Sequence, residues 1–353
     1  MKLLLNKADK NKVISLLENK ENNIIIADML LDFFSYVDAI DSAENEKEYL
    51  SKMMEFWELD PDSAENLSIL HDLILPGLKE LETSIIRNNP YYKIITNKAS
   101  LGPYSLDFQT YYPYQGFSYD EITITDNYKE ISKVGYFKEQ VKFPVLKEGK
   151  KVWMSLNPNE IKTMEPDINK ARGHIVIYGL GLGYFPFMIC EKENVKSITI
   201  IERDSKIIEM FNKHILPRFP QKHCPISIIQ GDALKYKNLQ KADFAYVDLW
   251  HDPSDGLPIY IKMKRIEKQF PNCEFHYWLE PSILSLYRRC YLTVVEESMH
   301  GYGDSNYQSA DNFTDEVIND IYFKTKNLVI NSYEALLDNI SDNSLKKLMI
   351  QSC

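Results

Sequence analysis

Residues 175–185 read IVIYGLGLGYF: a β-branched apolar run that gives way to glycines at 179, 181 and 183 and resumes with aromatics. The apolar run favours a strand. The glycines let the backbone turn sharply and bring its amides close to a ligand, and a helix starting just after them points its positive end at an anionic group. This strand–loop–helix transition restricts the chain to folds with a tight glycine turn at the carboxyl end of a strand. Around it, HIVIYG, SITIIE, ISIIQ, DFAYVDLW and CEFHYWLE alternate with helical stretches starting near Tyr184 and Ser205 and spanning about Leu257 to Phe270. Such alternation predicts an α/β domain with a mostly parallel sheet and helices on both faces.

Flanking segments differ in texture. Residues 1–89 repeat apolar and charged positions at helical spacing, as in NKVISLLENK, and read as a helical amino-terminal segment. Residues 90–153 are rich in Tyr, Thr and Ile between turn residues and read as short strands and hairpins. The α/β domain is assigned to residues 154–295, opened by a helix at SLNPNEIKTMEPDINKA with Asn157 as cap, Pro158 in the first turn and Glu160 close behind. Residues 296–353 begin with the loop MHGYGDSNYQ and end in amphipathic helices, a packed helical appendage rather than a lid, with a homo-oligomer contact left open.

Composition narrows the function classes. Forty-one basic against 51 acidic side chains give a net charge of -10, which argues against a protein that coats nucleic acid through phosphate contacts. Cys190, Cys224, Cys273, Cys290 and Cys353 are scattered and form no CxxC pair, so neither a disulfide framework nor a metal site is indicated. The apolar run in MKLLLNKADK is too short for a signal peptide, and no stretch approaches the ~20 apolar residues of a membrane span. The expectation is a cytoplasmic protein with no membrane partner.

Spacing identifies the ligand class. A dinucleotide fingerprint, GxGxxG, would need a third glycine at position 184, where the chain has Tyr184. SITIIE ends in Glu202, 19 residues beyond Gly183, where a carboxylate can accept both hydroxyls of a ribose. After ISIIQ comes GDA, placing Asp232 to accept from an adenine amino group and Ala233 to offer its amide. DFAYVDLW puts Asp248 at the edge of the same crevice.

With these residues in view, residues 150 to about 295 resemble a class I S-adenosylmethionine (SAM)-dependent methyltransferase domain with a Rossmann-like fold. The arrangement VIYGLGLGYF … IIERD … QGDAL … VDLWHD is similar to the spermidine synthase branch of that fold. The resemblance implies SAM as cofactor, with its amino-acid end at Gly179, Leu180, Gly181, Gly183 and Tyr184. It implies the ribose on Glu202 beside Arg203, adenine on Asp232 and Ala233, and Asp248 near the reacting centre. Two departures stand out. Most methyltransferases carry an acid two residues before the first glycine, where this chain has Ile177, an apolar position shared with aminopropyltransferases. The aminopropyltransferase aspartate pair is three residues apart, whereas Asp252 follows Asp248 by four.

Candidates for chemistry lie in DLWHDPSDG: Asp248 to steady a cation and His251 as general base, with Trp250 stacking on adenine or walling the acceptor pocket. Asp252 and Asp255 read as turn formers around Pro253 and Gly256. Trp153 and Met154, just upstream, are further donor-contact candidates. YYPYQGFSY, residues 111–119, reads as packing of a small core, and His214, His223 and Cys224 lack metal-like spacing. The reading is a SAM-dependent transferase, foremost a methyltransferase of unidentified acceptor. The alternatives are an aminopropyltransferase using decarboxylated SAM and a polyamine, and a nucleoside-binding protein without chemistry.

Overall fold

Five strands form one parallel sheet in the computed structural model, which describes residues 1–95, 97–221 and 224–351. They are β1 (Gly173–Tyr178), β2 (Val195–Glu202), β3 (Ile226–Gln230), β4 (Phe244–Val247) and β5 (Glu274–Tyr277), paired in the order 3-2-1-4-5. This is a Rossmann-like α/β sheet, as the alternating pattern predicts. Every pairing is parallel, because the chain passes from β5 directly into a long helix and adds no returning strand. Ile175 to Tyr178 and Phe244 to Val247 are all buried, which is why these central strands read as unbroken apolar runs.

The helices in chain order are α1 (Lys7–Phe34), α2 (Glu46–Phe56), α3 (Ala64–Leu73), α4 (Pro158–Lys170), α5 (Tyr184–Ile189), α6 (Ser205–Met210), α7 (Pro253–Glu267), α8 (Glu280–Met299), α9 (Phe313–Thr325), α10 (Tyr333–Asn339) and α11 (Asp342–Met349), apart from single turns. Asn157 caps α4 by accepting from the Glu160 amide at 3.1 Å, and Ile161, Met164 and Ile168 then share its buried face. α7 starts four residues before Leu257, because Asp252 and Asp255 form a reciprocal capping box around Pro253. α8 runs through Glu296 to Met299, past the point where the tail was expected to begin, since Val294 and Val295 still belong to the core.

Both ends of the chain join: Lys2–Leu3 pairs in parallel with Val329–Ile330, and α1 packs on α8 and α10. A four-stranded antiparallel sheet carries Ala99–Leu101, Tyr104–Tyr111, Val141–Glu148 and Lys151–Ser155. Tyr111 stacks on Phe117 at 4.1 Å between centroids and lies against Phe143, so this part of the aromatic cluster packs a small core, while Tyr112 is exposed. The last strand, Lys151–Ser155, has a bulge between Val152 and Met154 and leads straight into the α4 cap. The extra residue turns Trp153 and Met154 to one side, over the carboxyl edge of the main sheet. Among the described residues, no helix is long and apolar enough to cross a membrane.

α1 is anchored by Lys20, which is 4% exposed and donates to Glu296 of α8 at 2.6 Å, with Glu21 at 2.9 Å. Replacing it removes the cation from between two acids that stay in place. Lys20→Ala should therefore lower stability by about 2 kcal/mol in urea unfolding, and a loss below about 0.5 kcal/mol would mean that α1 is held by apolar packing alone.

Candidate functional site

In the order 3-2-1-4-5 the chain switches direction between β1 and β4, and the crevice outside their carboxyl ends is where such sheets receive ligands. Here it holds a cleft of about 350 Å³, within the size range of small-molecule sites. Gly179 to Gly181 form its floor, Glu202 and Arg203 one side, and Gly231 to Leu234 the far end. Asp248 to His251 with Asp255 and Ile259 form the other side, and Trp153 and Met154 the roof.

The glycines have separate tasks. Gly179 has φ +99°, and a Cβ there would lie 2.1 Å from the Asp248 carbonyl oxygen, so the β1 and β4 ends meet only across glycine. A Cβ on Gly183, at φ +75°, would fall 2.3 Å from the Phe211 ring. Gly181 instead lies under Met154, whose Sδ accepts from the Leu182 amide at 3.1 Å. That amide belongs to the loop that leads into α5, and the thioether satisfies it.

Glu202 is 7% exposed and held on both oxygens, by the Leu180 amide at 3.2 Å and the Asp204 amide at 2.8 Å. Each oxygen retains a further acceptor position for the cleft. Asp232 caps the turn Ala233–Lys235 by accepting from the Leu234 amide at 3.0 Å and keeps its other oxygen free of protein donors except Lys235, at 3.6 Å. Trp250 is nearly buried, its indole N–H donating to the Trp278 carbonyl at 3.1 Å, so its ring is a fixed wall. His251 stands at the exposed rim with Nδ1 2.9 Å from Asp255 Oδ2. Asp252 and Asp255 cap α7, so the turn reading of that pair holds, with Asp255 also orienting His251.

The sequence-assigned set is therefore divided. Gly179, Leu180, Gly181, Glu202, Arg203, Asp232, Ala233, Asp248, Trp250 and His251 share the cleft. Gly183 and Tyr184 do not: they line a second chamber behind the loop, of about 20 Å³, and the Tyr184 hydroxyl accepts from Asn89 at 3.0 Å. They turn away because the backbone enters α5 there and packs its first residues against the core. His223 lies outside the described residues, as does Cys353; among the described residues no group of three His, Cys, Asp or Glu side chains is arranged to hold a metal.

The inner chamber contains a residue that sequence reasoning passed over. Glu160 reads as a first-turn acid of α4, yet its side chain lines the chamber with Met164, Tyr246 and Asp248. The signal was its spacing: residues 160 and 164 lie one turn apart on the face that buries Ile161 and Ile168. Both residues are partly buried. Burial pushes Asp248 up to about 7, and burial, followed by the charge of Asp248, pushes Glu160 well above the ordinary carboxylate range. Gly179, Leu180, Met154 and Asp248 border both the chamber and the cleft, so the two spaces adjoin.

No protein-family model matches the chain, and no curated protein matches it. Among solved structures, the chain is similar to the crystal structure of MNMC2 from Aquifex aeolicus at 13% identity, covering 84% of this chain and 98% of that one, with a TM-score of 0.28.

Two outcomes follow from this geometry. Gly179→Ala should cost about 3 kcal/mol or more, through backbone strain and the clash with Asp248, whereas Gly231→Ala, with open space around its Cβ, should stay within about 0.5 kcal/mol. Comparable unfolding midpoints for the two variants would contradict the close approach of β1 and β4. Because both acids have folded-state pKa values raised above their unfolded ones, their contribution is fully present at low pH and is lost as pH rises, through about 7 for Asp248. Ligand-free Glu160→Gln should thus melt higher than wild type at about pH 8 and lose that advantage near pH 4; an advantage that grows on acidification would refute the assignment.

Proposed function

We propose that the chain is a SAM-dependent transferase, foremost a methyltransferase. The observation that carries this reading is Glu202: a carboxylate at the end of β2, aimed by two backbone amides, with Asp232 and Asp248 at the ends of neighbouring strands around one cleft. A nucleoside lying across the strand ends meets Glu202 at its ribose and Asp232 with the Ala233 amide at its base. Trp250 walls the cleft, and the amino-acid end falls at the Gly179–Gly181 floor. The loop fits such a group, since the Leu182 amide has only the weak thioether acceptor of Met154 to give up.

SAM supplies a methyl group already activated by its sulfonium, so the protein's main tasks are alignment, exclusion of water and removal of an acceptor proton. With Nδ1 set against Asp255, Nε2 is the ring nitrogen left to act as general base on that proton. Ile177 is the feature that favours an aminopropyltransferase, but Glu160 brings a carboxyl group into the chamber that Ile177 lines, close to where the methyltransferase pattern carries an acid.

Thermal unfolding with SAM, S-adenosylhomocysteine, decarboxylated SAM and NAD tests the reading. A ligand at about 100 times its Kd adds about 2.7 kcal/mol to the native state, a shift of a few degrees for a chain of this size. SAM and S-adenosylhomocysteine should stabilise the wild type, and Glu202→Ala should raise their Kd by about tenfold or more, the worth of a charge-assisted bidentate contact. Preference for decarboxylated SAM would select the aminopropyl reading, and stabilisation by NAD alone would overturn the donor assignment.

A further inference from the structure

We propose that a basic pocket on the flank of the α/β domain, away from the cleft, binds the phosphate group of a small phosphomonoester. The pocket shares no lining residue with the cleft, and the inference does not depend on the donor assignment.

The pocket has a volume of about 310 Å³ and lies between the chain that follows α6 and the edge of the antiparallel sheet. Lys98, Lys213, His214 and Arg218 line it together with Asn97 and Ser100, over a base of Ile95 and Leu106, both buried. Among the described residues that line it, none is acidic. In a chain with 41 basic against 51 acidic side chains, four basic groups around one concavity run against the overall charge. Like charges gathered there repel one another, and an anion relieves that cost.

Local structure puts them in place. Beyond α6 the chain opens into a π turn over Phe211–Ile215, closed by the Leu216 amide donating to the Phe211 carbonyl five residues back. Pro217 has no N–H to give the Lys213 carbonyl, so an α-helix cannot continue. Wide turns of this kind are rare and frequently mark functional sites. This one brings Lys213 and His214 into the pocket wall. The next turn, Leu216–Arg218, adds a guanidinium that donates from Nη1 to the Ile94 carbonyl at 2.7 Å and is thereby held at the rim. Lys98 lies 2.6 Å from Asp107, but Asp107 stands outside the lining and is shared with Lys147, also at 2.6 Å, so one carboxylate answers two ammonium groups.

Donor inventory and shape specify the ligand. A phosphomonoester carries about two negative charges and three acceptor oxygens, which the Lys, Arg and His donors can meet with the Ser100 hydroxyl and the Asn97 amide; a carboxylate offers one charge and two oxygens. The volume exceeds that of one phosphate group and falls at the low end of small-molecule sites, leaving room for a body of a few carbons. A polynucleotide is met by a basic groove that tracks its backbone, which a single concavity on a chain of net charge -10 does not provide.

Calorimetric titration in phosphate-free buffer at low ionic strength tests the pocket, with inorganic phosphate, glycerol phosphate, glycerol and single-stranded oligouridylate as probes. The proteins are wild type, Lys213→Glu and Lys98→Gln, and melting curves confirm that both variants fold. At least one phosphate probe should bind the wild type while glycerol does not. Each variant should weaken that binding by about tenfold or more, and saturating S-adenosylhomocysteine should leave it within about twofold. No binding of either phosphate probe, or equal binding by wild type and both variants, overturns the pocket. Displacement by S-adenosylhomocysteine would put the phosphate in the cleft and overturns it as well. Oligouridylate binding more tightly than glycerol phosphate, with the same losses in the variants, would make the patch a polynucleotide contact and overturn the phosphomonoester assignment.

Discussion

The site depends on the contact between Gly179 and the Asp248 carbonyl. Adjacent parallel strands end level with each other only if the residue that turns away at one carboxyl end leaves room for the backbone of its neighbour. A Cβ on Gly179 would occupy the carbonyl's position, and its φ of +99° lies where side-chain-bearing residues are strained. Because this approach is made, the β1 loop passes beneath the end of β4. The Leu180 amide then reaches Glu202 on β2, and Asp248 is turned toward the space behind the loop. The aim of Glu202, the path of the loop and the place of the inner acid are thus consequences of one backbone contact.

Acids in the site fall into two electrostatic kinds. Glu202, Asp232 and Asp255 are held by backbone amides or a neighbouring histidine, which orients them. Glu160 and Asp248 are of the other kind: burial pushes both up, and for Glu160 the charge of Asp248 adds to it. Under the proposed reading, the preorganised acids are the ones that meet the nucleoside.

Much of this was legible in the sequence, for reasons that also explain what was not. Strands buried on both faces must be apolar throughout, so β1 and β4 announced themselves, and the acids that follow β2, β3 and β4 were found by their fixed position after such runs. Glu160 escaped because its role arises from a long-range meeting: α4 precedes the sheet, and only its packing brings residue 160 against residue 248. Gly183 reads in the sequence as one more glycine of the loop, and the spacing does not reveal that a Cβ there would meet the Phe211 ring. The early start of α7 was written in Asp252, Pro253 and Asp255, a capping box read as a plain turn.

The most direct test of the account is a crystal structure of the protein with S-adenosylhomocysteine bound. The account places both ribose hydroxyls within hydrogen-bond distance of Glu202, the adenine amino group at Asp232, and Met154 displaced from the Leu182 amide. A nucleoside bound outside this cleft, or lying in it with its ribose away from Glu202, would contradict the account at its centre.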